Sequence, residues 1–195
     1  MRSGRGDETR ARLLRAAQEV IAGQGWGGVT TRAVADTAGL NAGLVHYHFG
    51  SVDALRRQAV RGCLDELVTA SLSRLRAVDE SRSAGRGLGD VLATMQRREP
   101  QATVVLFEAF LASLRDPGLR EELGAMLRAS RVELAGWLGT RPGVRDPDAL
   151  AGLVVAALDG AYLHRLVDPD VDPATLLDPL GRLLSERDYA AQVGR

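Results

Sequence analysis

Three observations predict an all-α fold. Apolar residues recur at helical spacing along nearly every segment, no stretch alternates in the manner of a strand, and the breaks fall at Gly, Pro, Asn and Asp. The elements group into two domains, residues 1–51 and residues 52–195.

The first helix is expected from about Glu8 to Ala22. Leu13, Leu14, Ala17, Val20 and Ile21 line one face, Arg10, Arg12 and Arg15 sit around the other, and Gly23 and Gly25 end it. Thr30 is a good N-cap for a short helix over Thr31 to Ala38, which Gly39 stops. Asn41 opens a second short helix that reaches about His48; Phe49-Gly50 breaks it, and Ser51 caps a longer helix running to roughly Val78. Two such short helices joined by a tight glycine-containing turn must cross steeply, which is the helix-turn-helix arrangement. Ala33, Val34, Ala38, Leu40, Leu44 and Val45 would hold the pair against the first helix, so the rest of the second short helix faces outwards. Beyond it, the Gly/Ser/Arg-rich stretch 79–89 reads as a loop. Leu88–Arg98, Gln101–Leu114, Leu119–Leu138, Ala149–Val167 and Ala174–Arg187 read as helices. Pro100, Asp116-Pro117-Gly118, residues 139–148 and Pro169 to Pro173 separate them.

A composition of 45 % hydrophobic and 26 % charged residues is that of a globular chain, and 195 residues suffice to bury a core. No run approaches the roughly 18 apolar residues that span a bilayer. No apolar segment follows the N-terminal arginines as a signal peptide would require. A cytoplasmic protein with no membrane partner is the expectation. The single cysteine, Cys63, excludes an internal disulfide and a cysteine-based metal cluster. The formal net charge of zero hides an asymmetry: residues 1–62 hold 9 Arg against 5 acids, and residues 63–195 hold 16 Arg against 20 acids. A basic first part on an acidic remainder points to an anionic partner for the first part. Every cation is Arg, the planar fork that suits phosphate and guanine.

Two of the three histidines flank Tyr47 in the stretch GLNAGLVHYHFGSVDAL, residues 39–55. On a helix, residues two apart point about 200° away from each other. His46 and His48 therefore cannot grip one ion, and neither a metal nor a cofactor is expected. The second short helix reads instead as a probe. Asn41, Ala42 and Gly43 are small enough for the backbone to approach base edges in a major groove; Asn41 either hydrogen-bonds a base or caps the helix. Gly43 inside a helix costs about 1 kcal/mol against Ala. Close approach by DNA explains that cost, and so does loose packing. Tyr47, His46 and His48 carry donors for phosphate oxygens, with packing at the helix end the alternative for one of the histidines.

These residues carry a resemblance. Segment 8–55, with Thr30-Thr31-Arg32, Ala35, Ala38-Gly39-Leu40, His46-Tyr47-His48-Phe49 and Ser51 to Leu55, closely resembles the DNA-binding domain of TetR-family transcriptional repressors. The resemblance implies an N-terminal three-helix module that binds a double-stranded operator. It also implies an all-helical C-terminal domain that dimerises and binds a small-molecule effector. Carried over by position, Thr30, Thr31 and Arg32 begin the positioning helix and contact phosphate. Asn41, Ala42, Gly43 and Leu44 occupy the base-reading part of the recognition helix, and His46, Tyr47 and His48 match the family's aromatic and histidine contacts. Two positions depart from the family's pattern. His46 stands where Tyr is usual, and Val52 stands where Lys usually anchors a phosphate. Arg56 or Arg57 would replace that anchor only if the DNA reaches them.

Ala149 to Val167 is apolar nearly all round, and the last helix offers leucines at helical spacing. Two such helices per chain suit a four-helix homodimer interface about a two-fold axis. Its candidates are Leu153, Ala157, Gly160, Ala161, His164, Leu176, Leu180 and Leu183, with intrachain core as the alternative. Met95, Phe107, Phe110, Met126 and Trp137 supply large polarisable surface that could line an effector cavity or simply pack. Glu108, embedded in VVLFEAFL, is either part of a solvated stripe or a buried carboxylate that needs a partner, which a cationic or hydroxylated ligand could supply. No positioned nucleophile, paired carboxylates or phosphate-cradling glycine loop argues for an enzyme. The expected function is a homodimeric, ligand-released repressor on a pseudo-palindrome, with a helix-turn-helix regulator lacking an effector as the alternative.

Overall fold

The structure, a computed structural model, describes residues 3–77, 100–141 and 144–180. Every regular element among them is a helix, as expected: α1 Ser3–Gly28, α2 Thr31–Ala38, α3 Gly43–Phe49, α4 Val52–Ala77, α5 Pro100–Ser113, α6 Pro117–Gly139 and α7 Pro147–Val167. Residues 173–180 are also helical. The expected helix Leu88–Arg98 with Met95, and the part of the last helix that holds Leu183, lie outside the described residues. Two compact units emerge, Met1–Glu66 with Glu99–Leu123, and Leu67–Arg98 with Gly124–Arg195. α4 and α6 each contribute to both, so these units cut the chain differently from a boundary at 51/52.

In the first unit Leu13, Ala17, Val20 and Ile21 turn one face of α1 inward and are fully buried. α1 packs on α2 and α5, whose buried residues include Val34, Ala35, Val105, Leu106 and Ala109. α1 does not stop at Gly23. It runs on to a break at Gly25, where φ 75 and ψ 175 leave the helical region for a conformation that only glycine adopts at low cost. Just beyond the break, the Trp26 N–H donates to Glu108 Oε2 at 2.7 Å. A side chain at Gly25 would press on the same oxygen, since an added Cβ would sit 3.2 Å from it. The chain's own backbone thus supplies half-buried Glu108 with a partner of the kind a carboxylate needs. Arg56 completes this corner. It donates to the Val29 carbonyl at 2.6 and 3.2 Å and stands over the Trp26 ring at 5.8 Å.

α6 begins at Pro117, two residues earlier than expected, because Pro fits the first helical position and Asp116 caps the helix by accepting from Leu119 N at 3.0 Å. Arg57 from α4 grips the same carboxylate with distances of 2.9 and 3.0 Å and reaches Glu122 at 3.6 Å. Gly118 makes room for it, since a Cβ there would lie 2.8 Å from Arg57 Nη1.

The second unit has its own core of Leu134, Leu138, Ala151, Val154, Ala161 and Leu177, with Trp137 and Leu180 packed against it. Arg141 is buried over the Trp137 ring at 4.3 Å. Asp146 caps α7 by accepting from Ala149 N at 3.0 Å, with Pro147 in the first turn. One expectation is corrected here. α7 is, by length and composition, long and apolar enough to cross a bilayer, although no such run was anticipated. Its Ala151, Val154 and Ala161 instead enter the core of this unit.

The Leu119 N–H foremost, and then the Arg57 charge, hold the Asp116 carboxyl below the usual carboxylate range against the opposing effect of burial. A folded-state value below the unfolded one gives stabilisation that is present above about pH 4 and is lost as pH falls through the folded value. Asp116→Asn should therefore lower the denaturation midpoint near neutral pH and matter far less at about pH 3. A loss of the same size at both pH values would show that the ion pair is not what matters.

Candidate nucleic-acid interface

α2 has eight residues and α3 seven, and each is fastened at its ends by specific bonds. Thr30 accepts from Ala33 N at 3.1 Å, as an N-cap should. At the far end Gly39 N bonds Asp36 O and Leu40 N bonds Ala35 O at 3.2 and 2.9 Å, the Schellman pattern. Arg12 of α1 adds a charged donor there, at 2.7 Å from the Ala38 carbonyl, where the helix dipole favours a cation. Sequence reasoning placed Arg12 on the face of α1 opposite its apolar residues. Its lateral position gave no sign of the helix end it would meet.

α3 starts at Gly43, not Asn41. The Asn41 side-chain oxygen accepts from Gly43 N at 2.8 Å, which makes it the stop of a local turn leading into the helix. The absence of a side chain at Gly43 then has a reason inside the chain, because an added Cβ would lie 3.2 Å from that same oxygen. The helix includes Phe49 and ends at Gly50, whose φ of 76 suits only glycine and whose N–H donates to His46 O at 2.9 Å.

The faces of α3 divide as its periodicity requires. Val45 is 0 % exposed and Phe49 is buried beneath Arg10, whose guanidinium stands 5.2 Å from the ring. Tyr47 is 81 % exposed. Asn41, Ala42, Gly43 and His46 are exposed as well, whereas Leu44 and His48 are half-buried. His48 meets Tyr47 edge-on at 4.9 Å and Phe49 at 6.3 Å. On α2 and its cap, Thr30 and Arg32 are exposed and Thr31 is half-buried. Arg32 touches only Asp36, at 3.7 Å on an open surface, a pairing worth little. The candidates therefore share one module and mostly its outer side. Arg56 and Arg57 do not stand ready to replace the missing lysine at Val52, because Val29, Asp53, Asp116 and Glu122 already engage them.

The other candidates are distributed between the units. Phe107 and Phe110 meet edge-to-face at 5.9 Å in the first unit with Glu108, while Met126 and Trp137 belong to the second. Trp137 is part of packed core. A cleft of about 490 Å³ in the first unit is lined by Ser51, Asp53, Ala54, Arg57, Gln58, Arg61 and Glu122.

A short capped helix, a Schellman turn and a second short helix with its polar tips outward define a helix-turn-helix DNA-binding regulator. The comparisons agree. Residues 13–59 match the family model described as "Bacterial regulatory proteins, tetR family", and residues 79–186 match "Tetracyclin repressor-like, C-terminal domain". The chain belongs to the TetR family of transcriptional regulators, and it is a DNA-binding regulator and not an enzyme. It is 26 % identical over 156 residues to the HTH-type transcriptional regulator BetI of Rhizobium meliloti (strain 1021), covering 80 % of this chain and 77 % of that one. A transcriptional regulator from Rhodococcus sp. Rha1 shares the fold with a TM-score of 0.76 at 24 % identity, over 91 % of this chain and 96 % of its own. The multidrug binding protein EbrR complexed with imidazole matches at 27 % identity and a TM-score of 0.64, over 91 % of this chain and 90 % of its own.

The division of faces on α3 makes a prediction about folding alone. Tyr47→Ala should shift stability by less than about 0.5 kcal/mol, and Val45→Ala should cost roughly 1–3 kcal/mol in urea denaturation. The reverse order would mean that α3 is rotated from this placement.

Proposed function

We propose that this regulator is a repressor that binds a pseudo-palindromic operator as a homodimer and leaves it when a small molecule binds. The observation that carries the DNA half is the exposure of Tyr47 beside His46 on a helix whose other face is buried. In this reading Thr30, Thr31 and Arg32 hold phosphates, Asn41, Ala42, Gly43 and Leu44 face base edges, and His46, Tyr47 and His48 fix the register. Two copies would place their recognition helices roughly 34–36 Å apart, one turn of duplex.

The dimer half rests on what α7 leaves uncovered. Leu153, Ala156, Gly160, Leu163 and Val167 recur at alternating steps of three and four residues, a seam spacing. Leu153 and Leu163 are exposed, Val167 is 82 % exposed, and nothing among the described residues occupies the space beside Gly160. Leu176 on the following helix is exposed as well, and His164 lies beside the seam. Ala161 drops out of the expected interface, being 2 % exposed in its own core, and Ala157 and Leu180 pack against that core.

An effector is supported by the small ligand in EbrR and by the polarisable residues Phe107, Phe110, Met126 and Trp137. Membership in a family of DNA-binding regulators supports a cytoplasmic location.

Selection of bound duplex from a random pool tests the DNA reading. The recovered site should be a pseudo-palindrome, and affinity should fall steeply with salt because phosphate contacts release counterions. Tyr47→Ala should weaken binding to that site by roughly tenfold or more, since one lost hydrogen-bonded contact removes on the order of 1.4 kcal/mol or more per protomer. Unchanged binding would count against this role for α3. For the dimer, Leu153→Glu with Leu163→Glu should yield a folded monomer by sedimentation that has lost high affinity for the site. A dimer that survives both changes would move the interface elsewhere.

A further inference from the structure

His46 Nδ1 lies 3.2 Å from the Gly50 carbonyl oxygen, while the Gly50 N–H donates back to the His46 carbonyl at 2.9 Å. The left-handed φ of 76 at Gly50 sets the direction of that carbonyl, and no other residue type would hold it there without strain. A carbonyl oxygen can only accept, so Nδ1 carries the proton. In the neutral ring the remaining nitrogen, Nε2, is then an acceptor with no hydrogen to give. A phosphodiester oxygen is also an acceptor. The neutral imidazole of His46 has nothing to offer it, whereas the imidazolium presents an Nε2–H donor together with a charge.

The charged groups around α3 point the same way. From α1, Arg10 stands over Phe49 and donates to Gln58. From α2, Asp36 is paired with Arg32 at 3.7 Å, and from α4, Asp53 is paired with Arg56 at 3.3 Å. On α3 itself His48 and Tyr47 contact each other through their rings. Each neighbouring carboxylate already has an arginine, so the anion that favours an imidazolium here arrives with the duplex. We propose that His46 contacts the DNA backbone only as imidazolium, so that operator binding takes up a proton at this residue. This inference rests on the reading of α3 as the recognition helix.

The test uses the full chain and a labelled duplex recovered by selection, at fixed ionic strength between about pH 6 and about pH 8. Protonation-linked binding weakens as pH rises, by up to about tenfold per pH unit for each proton taken up. The wild type is expected to bind at least about tenfold more weakly at the upper pH than at the lower. His46→Gln, whose amide donates at every pH, should lose most of that dependence while His48 is untouched. Ring ¹⁵N shifts give a readout that needs no affinity. They should show the Nδ1–H tautomer in the neutral free chain and two protonated nitrogens once the duplex is bound. A flat wild-type profile, an unchanged slope in His46→Gln, or a ring that stays neutral in the complex would overturn the proposal, the last leaving Nε2 to accept from a base amine. Failure of both wild type and His46→Gln to bind any duplex would sink the reading of α3 and this proposal with it. That outcome is distinguishable, since the free-chain tautomer is recorded independently.

Discussion

Helices of eight and seven residues do not persist alone in water, because a helix below roughly 12–15 residues gains too few bonds to offset its nucleation cost. Everything in the N-terminal unit follows from supplying what α2 and α3 lack. Burial supplies part of it, at roughly 1.5–3 kcal/mol for each large apolar side chain such as Val34, Val45 and Phe49. The rest comes from their ends, where Thr30, Asn41, the Schellman turn at Gly39 and the guanidinium of Arg12 satisfy groups a longer helix would satisfy by itself. The recognition surface is what remains outside this burial, where Thr30 and Asn41 keep hydrogen-bonding capacity beyond their capping bonds. On α3 that remainder is the face holding His46 and Tyr47.

The unit carrying α3 is also not closed by its first three helices. α5 reaches the end of α1 through Glu108, and the start of α6 is tied to α4 through Arg57 and Asp116. Both ties bear on short connections, one on the break at Gly25 and the other on the turn before Pro117. A carboxylate bonded to a backbone N–H at a glycine break has little freedom to shift without moving the peptide it holds. Displacement of α5 within this unit would therefore be felt at the entrance to α2. Within this unit, α5 and the start of α6 are thereby tied to the helices that lead into and out of α2 and α3.

Much of this was legible in the sequence. The all-α class, the short helix pair and the buried positions Val34 and Val45 follow from period and punctuation, since apolar spacing and N-cap residues act locally. What escaped was whatever depends on a distant partner. Glu108 looked like an orphan because its acceptor role is answered by Trp26, 82 positions away. Arg12 and Arg56 gave no sign of these bonds because the carbonyls they meet, Ala38 and Val29, become neighbours only after folding. Gly43 looked like an invitation to DNA, yet Asn41 alone gives a reason for it. Ala157 and Ala161 share the small size of Ala156 and Gly160, and only the core shows which pair it claims. Small residues carry no signature of the side they face.

The basic charge of the first 62 residues reads differently once the bonds are known. Arg10, Arg12, Arg56 and Arg57 are all tied into the chain, at Gln58, Ala38, Val29 and Asp116 respectively. Arginine suits such work because its planar fork can grip a carbonyl or carboxylate and stack on an aromatic ring at the same time. The charge asymmetry thus reports first on how this module is assembled and only second on its partner. With two arginines of α4 committed, the surface proposed to meet the polyanion carries Arg32 beside hydroxyl, amide and imidazole groups. On such a surface the gain or loss of one positive charge is a large fraction of the total, and Coulomb attraction to closely spaced phosphates makes it larger still. The protonation of a single exposed ring therefore has a leverage here that it would lack on a lysine-rich recognition helix.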